Sequence, residues 1–141
     1  MATTAGPPQN QRRFTNGWGE LDYLCKKIRY WLYSRKEEAG ATRYVDRLEK
    51  VLHNLPKNDL AILREEALAM LAELKGKLAD AVVHREREIR LMERLHKEAQ
   101  SPRYPASTKA YMLQNRDRAA LQERRQILEA LKKKRRGKVA M

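Results

Sequence analysis

Apolar residues recur at alternating steps of three and four through most of this chain, and only a few glycines and prolines interrupt them. Trp18, Leu21, Cys25, Ile28 and Leu32 form one such stripe, which places them on a single helical face. Tyr44, Leu48, Val51 or Leu52, and Leu55 form the next. With six glycines and five prolines in 141 residues, the chain lacks the turn residues of a multi-stranded β protein. The expectation is all-α, with four to six helices in stacked antiparallel hairpins.

The punctuation sets the boundaries. A first helix is expected from Trp18 to Glu38, with Asn16 as its N-cap. Gly40 is its expected stop, because glycine readily takes the left-handed conformation of a helix C-cap. Thr42 is the cap candidate for the second helix and Pro56 its stop. Asn58 or Asp59 then caps a proline-free stretch from Leu60 to about Glu98. Its stripe of Leu60, Leu63, Ala67, Met70 and Leu74 loses phase at Lys77. A shifted stripe of Leu78, Val82, Ile89 and Met92 follows, with Arg85 as its one charged member. The slip falls at Gly76, so two helices joined by a tight turn around Lys75–Lys77 are expected, a single helix with a stutter being the alternative.

Pro102 and Pro105 break the chain again. Ala110, Leu113, Ala120, Leu121, Ile127, Leu128 and Leu131 supply the last stripe, which Asp117 splits as the cap of a longer second helix. The organisation expected is a disordered lead over residues 1–17, a single helical domain over 18–131 and a basic disordered tail over 132–141. In that tail the run KKKRRGK repels itself and has no apolar anchor.

Offsetting residues 41–55 by 37 places Ala41 on Leu78, Tyr44 on Ala81, Val45 on Val82, Leu52 on Ile89 and Leu55 on Met92. The series Leu48 to Leu52 ending in Leu55-Pro56, then Leu68-Ala69, then Gly76-Lys77-Leu78 with Ala81-Val82 resembles the junction between tetratricopeptide repeats over about residues 20–98. Pro56 looks like the unit-ending proline, and Ala69 and Ala81 like the small packing positions. The family's two aromatic positions fall on Glu65 and Ala72, and its Phe-like position on Arg85. The resemblance implies a non-catalytic scaffold whose groove holds a protein partner. A stack this short also implies self-association to complete its core.

Charge is unevenly spread. Residues 57–100 are neutral, whereas residues 101–141 carry twelve basic against three acidic residues and supply +9 of the net +13. The cations singled out for contact with nucleic acid or an acidic partner are Arg118, Arg124, Arg125, Lys132, Lys133, Lys134, Arg135, Arg136 and Lys138. Phosphate neutralisation needs only such cations beside a polyanion. Two function classes follow: a helical scaffold for a protein partner, and a nucleic-acid binder working through its cationic C-terminal helix and tail. The cytoplasm is the expected location; the basic run also resembles a short nuclear-import signal, which leaves the nucleus as the alternative in a eukaryotic host.

Seven of the nine aromatics, Phe14, Trp18, Tyr23, Tyr30, Trp31, Tyr33 and Tyr44, fall in the first third among lysines and arginines. Most are expected in the core. Tyr30 and Tyr33 lie off the main stripe, and their exposure decides whether this mixture can stack bases.

Catalytic patterns are missing. Cys25 is the one cysteine, which excludes an intramolecular disulfide and a multi-cysteine metal site. His84 and His96 stand twelve apart, without the i+3 or i+4 partner of a helical metal site. Glu86 with Arg90 and Glu93 with Lys97 read as i,i+4 pairs on a solvated face. There is no glycine-rich phosphate loop and no nucleophile elbow. No catalytic residue, metal or cofactor is expected. The longest apolar run, Ala67–Ala72, falls far short of the roughly 18 residues of a membrane span.

Overall fold

The computed structural model describes residues 17–55, 61–114 and 116–140. All regular structure among them is helical: α1 Gly17–Arg29, α2 Glu38–Thr42, α3 Val45–Asn54, α4 Ala61–Leu74, α5 Leu78–Ala99, α6 Ala106–Met112 and α7 Arg118–Ala140. These seven exceed the expected four to six because the segment around Gly40 forms a short helix of its own, Glu38–Thr42. Asn16, Pro56, Asn58, Asp59 and Leu60 lie outside the described residues.

The first helix departs from its expected course. After Arg29 it widens into a π turn over Tyr30–Ser34, in which Arg35 N donates to Tyr30 O at 2.8 Å. The wider turn keeps Leu32 buried while carrying Tyr33 inward as well. The chain then reverses through Lys36, which itself takes a left-handed backbone with φ 55°. Gly40 is therefore not the stop. It sits inside α2 against the Trp31 indole, where an added Cβ would fall 2.2 Å from the ring. Thr42 is not a cap either; its Oγ1 donates back to Glu38 O at 2.9 Å, the i→i−4 bond of a helical threonine.

The phase slip at Gly76 is a true break. Gly76 has φ 76°, Lys77 N donates to Ala72 O at 2.9 Å and Gly76 N to Glu73 O at 3.1 Å. This is the Schellman pair of bonds that closes a helix with a left-handed residue. It turns α5 back along α4, so that His84 meets Glu65 and Arg85 lies near Glu66.

Leu21, Leu24, Cys25 and Ile28 of α1 pack with Ala41, Leu48, Leu63, Ala67 and Met70 to form the main core. Helix α7 docks on the hairpin through Ile127 and Leu131 against Ala72, Leu78, Ala81 and Val82, and through Leu121 against Ile89 and Met92. Its start is capped as its sequence predicts: Asp117 Oδ1 accepts from Ala120 N at 2.9 Å. Its end is not the expected loose tail, because the helix continues through Ala140. Lysine and arginine are good helix formers. Lys132 also lies 3.8 Å from both Glu86 and Glu129, and Lys134 3.5 Å from Glu38. Among the described residues, no helix is long and apolar enough to cross a membrane.

Candidate nucleic-acid interface

Helix geometry separates the cations of α7 into two groups. Leu121, Arg124, Ile127 and Leu131 are buried and mark the face turned to the body. At 100° per residue, Arg118, Arg125, Lys132 and Arg136 share one outer flank about 27 Å long. Arg118, Lys133, Arg135 and Arg136 are exposed. Arg125 is exposed too and pairs with Glu93 at 2.7 Å. Lys138 lies in α7, but its side chain is outside the described set.

Arg124 does not belong to the surface, contrary to its place among the expected contacts. It is 4% exposed and bridges two buried carboxylates, with Nη2 3.0 Å from Glu66 Oε2 and Nε 3.1 Å from Glu88 Oε2. Its remaining nitrogen is held by Glu123. Glu66 also accepts a bidentate pair from Arg29, both bonds at 2.9 Å. Arg85 Nη1 donates to Glu88 Oε1 at 2.6 Å, and Arg85 Nη2 to the Tyr33 hydroxyl at 2.9 Å. Tyr33 in turn donates to Glu73 Oε1 at 2.7 Å. One network thus ties α1, the π turn, α4, α5 and α7 together.

The two central glutamates respond oppositely to the same burial. Desolvation pushes the Glu66 carboxyl up, but Arg124, Arg29 and Arg85 outweigh it and hold it below the usual range. Desolvation also raises Glu88, and Arg85 and Arg124 do not fully offset it while Glu66 adds repulsion. Burial drives the Tyr33 hydroxyl far up, so it stays a neutral donor. Burial alone would lower Arg85, but the groups around it, Tyr33, Glu88 and Glu66, keep it protonated.

The outer face of α5 completes the surface. Glu86 and Glu93, expected to pair along their own helix, instead face Lys132 and Arg125 of α7. Arg90 and Lys97 are left exposed, as are Arg87 and Arg94. The outer face of α5 therefore presents Arg87, Arg90, Arg94 and Lys97 to solvent, of which the sequence alone reads Arg90 and Lys97 as paired.

Other reactive groups are structurally employed. Cys25 is buried, and desolvation pushes its thiol well above the usual range, with Glu66 adding to the rise. His84 Nδ1 lies 2.7 Å from Glu65 Oε1, His96 Nε2 donates to Arg116 O at 2.5 Å, and His53 is exposed. No group of three or more His, Cys, Asp or Glu is placed to hold a metal ion among the described residues. An open cleft of about 420 Å³ lies between α4, α5 and α6, lined by Ile62, Leu91, Leu95 and Met112 with Arg94 and Glu98 at its side.

No protein-family model, curated protein or solved structure matches the chain.

Proposed function

We propose that the protein is a non-enzymatic nucleic-acid-binding module that contacts phosphates through the outer faces of α5 and α7. The observation that supports this reading best is the inter-helix pairing of Glu86 and Glu93 with α7, which frees the α5 cations toward solvent. Arg87, Arg90, Arg94 and Lys97 then stand beside Arg118 and Arg136 on a rigid support. Each phosphate they neutralise would release a condensed counterion, so affinity would fall steeply with salt. The buried network keeps α7 in place on α5, and with it the spacing of the two cationic rows.

The test is a fluorescence-anisotropy titration of mixed-sequence DNA and RNA with the full chain and with a chain ending at Leu131. The expected result is binding by both, weaker in the shortened chain, with a strong salt dependence. Absence of binding by the full chain at physiological salt would overturn the reading.

The second reading, a scaffold for a protein partner, has one observation in its favour. The cleft beside α6 has an apolar floor of Ile62, Leu91, Leu95 and Met112, the kind of surface an amphipathic helix fills. Charge reversal at Arg87 and Arg90 would leave such binding unchanged.

A further inference from the structure

Among the described residues of the first third, Tyr30 is the exposed aromatic: it is 46% exposed, whereas Tyr33, three residues on, is drawn into the buried network. The π turn sets that division. Tyr30 meets Trp31 at 5.5 Å between ring centroids and an interplanar angle of 80°, so the indole leaves at least one face of the tyrosine ring uncovered. Two guanidiniums lie against the indole itself, Arg35 at 5.1 Å and Arg43 at 5.0 Å, and Gly40 packs on it. Arg35 Nη1 also reaches the Tyr30 hydroxyl at 3.5 Å. An exposed ring thus stands on a fixed base, among the exposed cations Arg35, Lys36 and Arg43.

This patch is continuous with the end of α7. Lys36 and Lys134 line the same cleft, and Arg35 and Lys134 are paired with consecutive carboxylates, Glu37 at 3.1 Å and Glu38 at 3.5 Å. Both pairs are exposed and hence weak, so an incoming phosphate can replace either carboxylate. We propose that Tyr30 is a base-stacking platform, and that the nucleic acid bound by this protein is single-stranded, its backbone running from Arg35 and Lys36 onto Lys133, Lys134 and Arg135 and on to Arg136 and the α5 row. The chemistry decides between strand states. A duplex buries its base faces in its own stack, whereas an unpaired strand offers them to an aromatic ring beside a cationic track. This inference rests on the nucleic-acid reading above and adds its substrate class.

The experiment is an anisotropy titration of the full chain with a labelled single-stranded DNA, the RNA of the same sequence, and the matching DNA duplex. Tyr30→Leu keeps bulk against Trp31 but removes the π face, and Tyr30→Phe keeps the face. Tyr30→Leu is expected to weaken binding of both single strands about tenfold and to leave duplex binding unchanged, while Tyr30→Phe binds as the parent does. Glu38→Gln is expected to tighten single-strand binding by releasing Lys134; were Glu38 only a structural partner, its loss would not do so. If single strand and duplex bind equally and Tyr30→Leu is silent, the platform is overturned and the α5 and α7 reading stands. If the full chain binds none of the three, both fall.

Discussion

Arg124 Nη2 lies 3.0 Å from Glu66 Oε2, a charge pair sealed from solvent that fastens α7 to α4. Removing one partner of a buried pair strands the other charge in a low dielectric, which costs about 3–5 kcal/mol. Glu66→Gln is therefore expected to destabilise the fold by about 3 kcal/mol at neutral pH, measured by urea denaturation. Glu88→Gln is expected to cost less, because burial already opposes the charged form of Glu88.

The two glutamates also predict opposite pH dependences. The folded carboxyl of Glu66 is held below its ordinary value, so its stabilisation is present above the unfolded pKa and lost as pH falls through the folded one. The stability gap between parent and Glu66→Gln should accordingly narrow on acidification below the ordinary carboxylate range. Glu88 is raised, so its contribution declines as pH climbs from the ordinary value through the folded one. Denaturation curves across the acid range check both signs; a gap for Glu66→Gln that widens with acid would contradict the assignment.

Gly40 and Gly76 are required for different reasons, and substitution separates them. At Gly40 an added methyl would meet the Trp31 ring, and overpacking of this kind costs about 1–3 kcal/mol. Gly40→Ala is thus expected to destabilise, and adding Trp31→Leu should recover part of the loss. At Gly76 the space is empty but φ is 76°, so Gly76→Ala should cost about 1 kcal/mol, while Gly76→Asn costs less and no second-site change in packing relieves either. Thermal melts of the four variants suffice.

Cys25 offers a clean report on opening of the main core. Its thiol is buried and desolvation pushes its pKa well up, so thiolate and access are both scarce in the native state. Maleimide labelling of the native chain should be slow and should accelerate in Glu66→Gln in proportion to the loss of stability. Fast labelling of the parent would show that the α1 face is open.

Local signals carried much of this fold. The three-four stripes located the helices, and both the turn at Gly76 and the cap at Asp117 follow from single residues whose conformational chemistry is local. The π turn was not legible, because it depends on where Tyr33 can reach Glu73 and Arg85, 40 and 52 residues away. Gly40 reads as a helix stop, since nothing in the chain announces that an indole lies on it. The buried network left a trace that local reading underused. Arg85 stands on the stripe of Leu78, Val82, Ile89 and Met92, and Arg124 lies between Leu121 and Ile127 on the inner face of α7. A charged residue at an apolar phase demands a buried partner, yet the sequence does not say which. The same limit applies to the candidate surface: i,i+4 spacing pairs Glu86 with Arg90 and Glu93 with Lys97, whereas packing of α7 redirects both carboxylates.

The most direct test of the cationic surface is the salt dependence of single-strand binding by the parent and by Arg87→Gln/Arg90→Gln/Arg136→Gln, three exposed positions whose change leaves the buried network intact. Each lost phosphate contact lowers the log-log slope by about 0.7 for a single strand. The account predicts a slope about 2 units shallower for the triple variant, with an unchanged melting temperature. Equal slopes for the two proteins would contradict it.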